Sequence, residues 1–479
     1  MNPSFFFYDL ETSGINPRES RAIQFAGQRT DMQLKPIGEP HNYLIKLSDD
    51  VVPEPDAILI TGITPQQTIH EGITEAEFLK LFHEQIAIPG TIFVGFNTIR
   101  FDDEFMRFMN YRNFYDAYEW QWTDDKSRWD LLDVVRMTRA LRPDGIKWPF
   151  DSTGKPTNRL ELLTSINGLD HENAHDALND VLASIALARL VRSKQPKLFD
   201  FLLTLRSKKE VGAIAMGGEP FVYTSGKYPA EFEKTTVVTT LSKHPTRSDT
   251  ALVYDLRHDP AQFVGLSPEE IVECWRWHED RTVLRLPVKT LRFNRCPAIA
   301  PLSVLDEASQ KRLNIDKKRL QANLEKLGEA KDFVPKLFKA IELMDTGQQA
   351  RLLEDQGEVD TQLYDGFIED RADKQKMSVV RAASSDELKG LDITFTDQRL
   401  QALLPLYKAR NFPKTLTEEE RATWQQFRER KLYGGKENSR LAKFFSRLGE
   451  LQSRPDLTGE QKYILTELEL YGQSLMPDL

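Results

Sequence analysis

The sequence has 479 residues, of which 40% are hydrophobic and 29% charged, which is the composition of an ordinary globular protein. At ~150 residues per domain, this length suggests about three domains. The chain contains only two cysteines, Cys274 and Cys296, which excludes a disulfide framework or a cysteine-rich zinc site. The net charge of −9 argues against a wholly basic nucleic-acid-binding protein. It still allows a local basic groove in an acidic remainder.

We expect neither a signal peptide nor a membrane span in this sequence. The N-terminal apolar run has no basic segment before it and stops at Asp9 and Glu11. The most apolar helical stretch, 181–191, is too short to cross a bilayer and contains Arg189. We therefore expect a cytoplasmic protein with no membrane partner.

Residues 1–195 alternate between predicted strands and helices, which indicates an α/β unit. The final helix has the clearest periodicity, with apolar side chains at positions i, i+3, i+4 and i+7. Those side chains are Leu178, Val181, Leu182 and Ile185. The predicted strands are 5–8, 22–29 and 92–96, and the other predicted helices are 101–109 and 131–141.

The pattern of apolar and charged residues changes near residue 196 and again near residue 350. Between them lie short β-rich runs followed by charged helical segments, which predict a small β-barrel-like domain with helical additions. The β-rich runs are 221–223, 235–240, 251–254 and 282–287. Beyond 350 the pattern is mostly helical, with a capping box at Thr417 and Glu420 and a helix stop at Gly434 and Gly435. The predicted domains are 1–195, 196–349 and 350–479.

The first candidate for chemistry is the pair Asp9 and Glu11 at the end of the first predicted strand. Side chains alternate along a strand, so these two carboxylates point to the same face. Converging carboxylates repel each other unless a cation lies between them, and Mg²⁺ prefers such oxygen ligands. Taken alone, the pair is also compatible with a strand that ends in an acidic loop.

Two further motifs place acids and histidines at helix starts. Asp102 and Asp103 follow the predicted strand 92–96, although acidic residues are also favoured at a helix N-terminus by the macrodipole. His175 and Asp180 open the last helix of the α/β unit and could supply a base and a metal ligand. His171 and Asp176 have the same five-residue spacing. We prefer His175 and Asp180 because they lie on the apolar-periodic part of the helix.

Together, in this order, the three motifs resemble the DEDDh family of 3′→5′ exonucleases, which have an RNase H-like fold. Several further segments are similar to the bacterial exonuclease I family, and they extend the resemblance over essentially the whole chain. These segments are 129–136, 140–143, 159–161, 174–177 and 406–413. The resemblance implies an α/β RNase H-like exonuclease domain, an SH3-like β-barrel domain and an α-helical C-terminal domain.

The resemblance also implies a catalytic site. In it Asp9, Glu11, Asp102 and Asp180 hold two Mg²⁺ ions, with Mn²⁺ as a possible substitute, and His175 is the general base. Asp9 bridges the two ions, Glu11 and Asp180 complete one of them, and Asp102 holds the other. A two-metal site can activate water and assist the leaving oxygen of a phosphodiester. The catalytic residues implied are thus His175, Glu11 and Asp102.

The resemblance implies single-stranded DNA as the substrate. Binding it requires phosphate contacts and base stacking, which basic and aromatic residues near the motifs could supply. The candidate contacts are Glu11, Arg159, Arg142, Arg136, Arg107, Asn158 and Trp122. A solvated basic face with core tryptophans is the alternative interpretation. A second basic region runs from Lys311 to Lys339. It could extend the path of single-stranded DNA, receive an acidic partner peptide or form a solvated helix face. The resemblance implies that the chain binds the acidic C-terminal tail of single-stranded DNA-binding protein.

We expect a monomeric, Mg²⁺-dependent enzyme that removes 5′-mononucleotides from the 3′ end of single-stranded DNA. It would act processively in DNA repair and recombination. One alternative is a DEDDh exoribonuclease, because the catalytic motif does not read the sugar 2′ position. The other is a noncatalytic DNA-binding scaffold, although a scaffold has no reason to keep four clustered acids. The sequence lacks a phosphate-binding loop of the ATPase type.

Overall fold

The computed structural model describes residues 3–169, 176–276, 280, 284–354 and 357–476. The chain forms two compact units, which do not follow chain order. Unit 1 comprises residues 1–127, 171–182 and 357–479, and unit 2 comprises residues 128–170 and 183–356. Within the described ranges, every helix is too short or too polar to cross a membrane.

Among the described elements, the strands lie in the first two thirds of the chain, whereas helices occur throughout. The strands are β1 Ser4–Thr12, β2 Ala22–Thr30, β3 His41–Leu44, β4 Thr91–Gly95, β5 Ser127–Asp130, β6 Phe221–Thr224, β7 Thr235–Lys243, β8 Thr250–Asp255, β9 Val288–Arg292 and β10 Ala298–Pro301. The helices are α1 Pro55–Thr61, α2 Pro65–Glu71, α3 Glu75–Leu81, α4 Asp102–Arg112, α5 Leu131–Leu141, α6 Leu160–Ile166, α7 Ala177–Lys194, α8 Pro196–Thr204, α9 Lys208–Ala215, α10 Pro268–Trp275, α11 Glu307–Arg312, α12 Lys317–Glu329, α13 Phe333–Glu354, α14 Arg371–Ala382, α15 Ser385–Lys389, α16 Gln398–Asn411, α17 Glu418–Tyr433, α18 Arg440–Gln452 and α19 Gly459–Ser474.

Unit 1 is built on a mixed sheet in which the first four strands lie in the order β3-β2-β1-β4. β1 pairs antiparallel with β2 and parallel with β4. The aromatic run at the start of β1 has high β-propensity, and Phe6 packs so closely on β2 that a Cβ at Gly27 would lie 2.3 Å from its ring. The predicted strands 5–8, 22–29 and 92–96 and the helix 101–109 are confirmed within a few residues.

The C-terminal part of unit 1 is helical, as predicted. Thr417 forms the capping box with Glu420, and α17 ends at Tyr433 before Gly434. Leucines and aromatics of α18 and α19 form a common core with residues of the first 63 positions, including Ile23 of β2. The helices at the end of the chain therefore share a core with the sheet at its beginning.

A buried ionic network also connects these two parts of unit 1. Arg410 Nη2 lies 2.7 Å from Asp50 Oδ2 and 2.6 Å from Asp360 Oδ2, and Lys431 Nζ lies 2.6 Å from Asp50 Oδ2. Arg21 Nη2 contacts Asp360 at 3.1 Å. Burial raises the pKa of both carboxyls, but the attraction of Arg410 and then of Lys431 is greater and holds each pKa well below its usual range.

Unit 2 contains an antiparallel sheet in the order β10-β6-β7-β8-β9. The predicted strands 221–223, 235–240 and 251–254 and the helix 131–141 are confirmed. The predicted strand 282–287 is wrong in its described part, because residues 284–287 are irregular and β9 begins at Val288. Pro287 has no N–H to donate to a strand ladder, which moves the start of β9 beyond it.

Candidate active site

Strand β1 carries two of the candidate metal ligands. Side chains alternate along a strand, so Asp9 and Glu11 point to one face. Tyr8 and Leu10 point into the apolar core on the other face. The register between β1 and β2 shifts immediately after Glu11. Such irregularities are common beside active sites, where they redirect side chains.

Asp102 reaches this face from the start of α4. β4 ends at Gly95, where a Cβ would lie 2.0 Å from Thr98 Cγ2, so the tight turn requires glycine. Asn97 takes the left-handed conformation in this turn, with φ of 76°, which asparagine tolerates better than most residues. The N–H of Leu10 then donates to Asp102 Oδ1 at 3.0 Å. This bond fixes Asp102 beside the segment of β1 that carries both other carboxylates.

The first turn of α7 supplies the last candidate ligand. Asp9, Glu11 and Asp180 each offer one carboxylate oxygen, and these three atoms lie within 4.8 Å of one another. The strand and the helix are 169 residues apart in sequence at these positions, counting from Glu11 to Asp180. The fold of unit 1 therefore brings the predicted acids together.

Asp176, the acid of the alternative motif, has different partners. Its Oδ1 accepts a hydrogen bond from Gln24 Nε2 at 3.2 Å, and its Oδ2 accepts one from Asn179 Nδ2 at 3.0 Å. Its oxygens are outside the group of three, so the geometry favours Asp180 as the ligand. The two histidines of these motifs, His171 and His175, lie outside the described residues.

The charges of these acids are mutually unfavourable. Burial raises the pKa of Asp9 well above its usual range, and the negative charges of Asp102, Glu11 and Asp180 raise it further. The pKa of Glu11 is raised to about 8 by burial and then by Asp180, Asp102 and Asp176. Asp102 is 3% exposed and Glu11 is 9% exposed, so water screens this repulsion poorly.

This donor set fits a hard divalent cation. All of its members are carboxylates, the ligands that Mg²⁺ and Mn²⁺ prefer. Since a metal binds the ionised carboxylate, binding would displace the protons that the raised pKa values favour. The raised pKa values and the converging oxygens point to the same conclusion, a metal-binding acidic cluster.

Asp103, next to Asp102, has a structural role instead. Tyr8 Oη donates to Asp103 Oδ1 at 2.5 Å, and Arg107 Nη2 lies 3.9 Å from Asp103 Oδ2. Asp103 is buried in this setting. Of the two consecutive acids, one therefore faces the acidic cluster and the other anchors α4 to β1.

Besides Glu11, two predicted DNA contacts lie in unit 1, and they differ in accessibility. Arg107 is 5% exposed, its Nη1 lies 2.6 Å from Glu104 Oε1 and its Nη2 donates to Gln121 Oε1 at 2.9 Å. Trp122 is 63% exposed. The indole of Trp122 is thus open to a stacking partner, whereas the guanidinium of Arg107 is enclosed by protein groups.

Two arginines of α5 and its C-terminus, predicted as DNA contacts, form ion pairs within unit 2. Arg136 Nη1 lies 2.8 Å from Asp133 Oδ1, and Arg142 Nη1 lies 3.2 Å from Asp306 Oδ2. Arg142 also donates through Nη2 to the carbonyl of Val304 at 2.8 Å. A phosphate would have to compete with these acids for either guanidinium.

Arg159 and Asn158 precede α6 in unit 2. The Arg159 side chain is 72% exposed and, among the described residues, makes one ion pair, from Nε to Glu161 Oε1 at 3.3 Å. Asn158 Oδ1 is buried without a hydrogen-bond partner among the described residues. Of the four predicted contacts in unit 2, Arg159 is the one whose charge is most open to solvent.

Sequence reasoning missed Gln24. It lies on β2 directly opposite Glu11, contacts Asp176 at 3.2 Å and accepts a hydrogen bond from the N–H of Ala177 at 3.4 Å. The only signal in the sequence is a polar residue between the apolar Ile23 and Phe25. Its meaning depends on the β1–β2 register, which the sequence does not specify.

A strand with two converging carboxylates, a third carboxylate at a later strand–helix junction and a fourth on a further helix define an exonuclease domain. The family model described as "Exonuclease" matches residues 6–188, which include all four acids. The models "Exonuclease I SH3-like domain" and "Exonuclease I C-terminal domain" match residues 206–341 and 357–475. The chain belongs to the bacterial exonuclease I family, and it is therefore a nuclease, a phosphodiester hydrolase. Its fold comprises the exonuclease, SH3-like and helical C-terminal domains that the sequence predicted.

Two curated relatives support this membership over most of the chain. The exodeoxyribonuclease I of Haemophilus influenzae is 38% identical over 479 residues, covering 99% of both chains. That of Escherichia coli (strain K12) is 41% identical over 431 residues, covering 89% of both chains.

Solved structures of exonuclease I are also similar to this chain over nearly its whole length. The exonuclease I of Methylocaldum szegediense has a TM-score of 0.91 at 41% identity, covering 99% of both chains. The zinc-bound E. coli exonuclease I–ssDNA complex has a TM-score of 0.91 at 37% identity, covering 99% of this chain and 100% of that one. An SSB/exonuclease I structure in complex with the inhibitor CFAM has a TM-score of 0.89 at 37% identity, with the same coverage.

Proposed function

We propose that this enzyme is a Mg²⁺-dependent 3′→5′ exonuclease that degrades single-stranded DNA processively to 5′-mononucleotides. The observation that carries the proposal is the convergence of Asp9, Glu11 and Asp180 oxygens within 4.8 Å, with Asp102 held beside them. Burial and the neighbouring acids raise the pKa values of Asp9 and Glu11, so the ionised cluster needs a compensating cation. The relatives named exodeoxyribonuclease I support DNA as the substrate.

In this proposal Asp9, Glu11, Asp102 and Asp180 hold two Mg²⁺ ions. When bound, such a pair lowers the pKa of water and stabilises the charge that develops on the leaving oxygen. The chain's own contribution is to fix the four carboxylates. Strand β1 carries Asp9 and Glu11, the Leu10 N–H holds Asp102, and the first turn of α7 carries Asp180. His175 is proposed as the general base on the family resemblance, since a histidine near neutral pKa can accept the proton of the attacking water.

In this proposal, single-stranded DNA binds to exposed side chains of the enzyme. Trp122 offers an open indole for base stacking, and Arg159 offers an open guanidinium for a phosphate. Arg107, Arg136 and Arg142 remain proposed contacts that would first have to leave their protein acceptors. The zinc-bound E. coli structure is a complex with ssDNA, which supports this class of ligand.

We further propose single-stranded DNA-binding protein as a partner, bound through its acidic C-terminal tail. The SSB/exonuclease I structure supports this pairing. Unit 2 offers a groove of about 420 Å³ whose wall is mostly apolar, with Lys317 contributing a positive charge. The positive charge of Lys317 would attract an acidic tail to this groove.

We also propose that the enzyme is monomeric and cytoplasmic and that it acts in DNA repair and recombination. Its proposed domains are residues 1–195, 196–349 and 350–479.

The test uses 5′-end-labelled single-stranded DNA and RNA oligomers, with Mg²⁺ or with EDTA. We expect a descending ladder of DNA products, which EDTA abolishes. Asp180→Asn should lower the rate of cleavage by several orders of magnitude. Ser193→Ala, a change at an exposed position of the same helix, serves as the matched control and should leave the ladder intact. A ladder on RNA alone would assign the enzyme to RNA, and cleavage that persists in EDTA would overturn the metal-dependent mechanism.

A further inference from the structure

Gln24 connects the sheet of unit 1 to the start of helix α7. It lies opposite Glu11 in the β1–β2 register and is 7% exposed. Its Nε2 donates to Asp176 Oδ1 at 3.2 Å and to Asn42 Oδ1 at 3.0 Å. Its Oε1 accepts a hydrogen bond from the backbone N–H of Ala177 at 3.4 Å. One amide group therefore uses both its donors and its acceptor.

These bonds act on the part of α7 that carries Asp180. Ala177 is the first residue of the helix, and Asp176 precedes it. The N–H of Asp180 donates to the carbonyl of Asp176 at 3.1 Å, which makes these residues one helical turn. Because a helical turn moves as a body, the position of its first residues sets the position of the Asp180 carboxylate.

We infer that Gln24 is a positioning residue, which holds α7 so that Asp180 shares a metal-binding face with Asp9 and Glu11. The inference rests on the proposed function, in which that face binds the metal ions. Groups that orient metal ligands without touching the metal typically contribute 10–100-fold to its affinity. Gln24 has the geometry of such a group, since it contacts the helix and not the cluster of three oxygens.

Only an amide satisfies all of these contacts. Glutamate has the same shape, but it has no N–H to donate to Asp176 or Asn42. It would also place a carboxylate against Asp176, whose charge already raises the pKa of Glu11. Gln24→Glu therefore keeps the volume, removes two hydrogen bonds and adds a repulsion that pushes the start of α7 away from the sheet.

The experiment measures Mn²⁺ affinity in the full-length, metal-free protein, from the electron paramagnetic resonance signal of free Mn²⁺. Gln24→Glu should bind Mn²⁺ at least tenfold more weakly than the unaltered protein. Gln28→Glu is the matched control, because Gln28 lies on the same face of β2, is 3% exposed and donates to three backbone carbonyls. It should lose thermal stability but keep its Mn²⁺ affinity within about twofold.

A second variant tests the contact itself. Adding Asp176→Asn to Gln24→Glu exchanges donor and acceptor, so that an amide at 176 can donate to a carboxylate at 24. We expect this pair to recover Mn²⁺ affinity to within about threefold of the unaltered protein. Should Gln24→Glu not fold, Gln24→Ala with Gln28→Ala as its control takes its place, with the same tenfold expectation.

The outcomes separate this inference from the proposed function. An unaltered protein that neither binds Mn²⁺ nor cleaves single-stranded DNA would overturn the proposed function. Normal Mn²⁺ binding by Gln24→Glu would overturn the positioning role alone. Equal weakening in Gln24→Glu and Gln28→Glu, or no recovery in the double variant, would also overturn it, because either result indicates general destabilisation.

Discussion

Replacing Glu11 with glutamine should stabilise the metal-free enzyme while it abolishes catalysis. Burial and three neighbouring acids raise the pKa of the Glu11 carboxyl from 4.5 to about 8. The folded state therefore binds a proton that the unfolded state releases, and stability falls as pH rises between these two values. Glutamine has the same shape as glutamate but carries no charge, so Glu11→Gln removes this loss of stability at higher pH.

The magnitude follows from the two pKa values. At pH 8 the unfolded carboxyl is ionised about 3000-fold over its neutral form, whereas the folded carboxyl is about half protonated. Each factor of ten corresponds to about 1.36 kcal/mol. Ionisation of Glu11 therefore lowers the free energy of unfolding by about 4 kcal/mol at pH 8 and by less than about 1 kcal/mol at pH 5. Glu11→Gln should raise the free energy of unfolding by these amounts. It also removes one of the negative charges that raise the pKa of Asp9, which stabilises the metal-free protein further.

The assay is urea unfolding in EDTA at pH 5 and pH 8, followed by circular dichroism. Asp103→Asn is the control with the opposite sign, because it removes a buried carboxylate that accepts from Tyr8 and pairs with Arg107. It should lose about 1–3 kcal/mol. An unfolding free energy of Glu11→Gln that is unchanged or lower at pH 8 would refute the electrostatic account of the acidic cluster.

Three further predictions concern the rest of the molecule. Asp360→Asn should lower the unfolding free energy by about 3–5 kcal/mol in urea, because it leaves Arg410 partly unpaired in a buried network. In the unaltered protein the stabilisation from Asp360, whose pKa is lowered, should be present above about pH 4 and lost at lower pH. Trp122→Ala should weaken binding of single-stranded DNA by about 1–3 kcal/mol in a fluorescence titration. Arg159→Ala should reduce the slope of log affinity against log salt by about 0.7, the value for one phosphate on a single strand. An unaltered affinity in Trp122→Ala, an unaltered slope in Arg159→Ala or full stability in Asp360→Asn would contradict the respective assignment.

The sequence predicts those features of the fold that depend on neighbouring residues. The aromatic run 5–8, the helix 131–141 and the capping box of Thr417 and Glu420 all appear in the structure. The order of the acidic motifs also predicts which carboxylates come together, because each stands at the end of a strand or the start of a helix. Local pattern and motif order are enough for these features.

Features that depend on distant contacts were not predictable. Gln24 acquires its role from strand register and from the place where α7 begins. Arg410 and Asp50 are 360 residues apart and meet only in the folded chain. Arg107 looks like a phosphate ligand in sequence, yet its guanidinium contacts Glu104 and Gln121. Charge alone does not reveal whether an arginine faces solvent or an acid.

The most direct test of the metal site is calorimetric titration of Mn²⁺ into the metal-free enzyme at pH 7, in two buffers of different ionisation enthalpy. Because the pKa of Glu11 is about 8 and that of Asp9 is also raised, binding should release about one or more protons. Asp9→Asn should lose most of the binding and of the proton release. Absence of Mn²⁺ binding, binding without proton release, or full binding by Asp9→Asn would contradict the assignment of these carboxylates as the metal site.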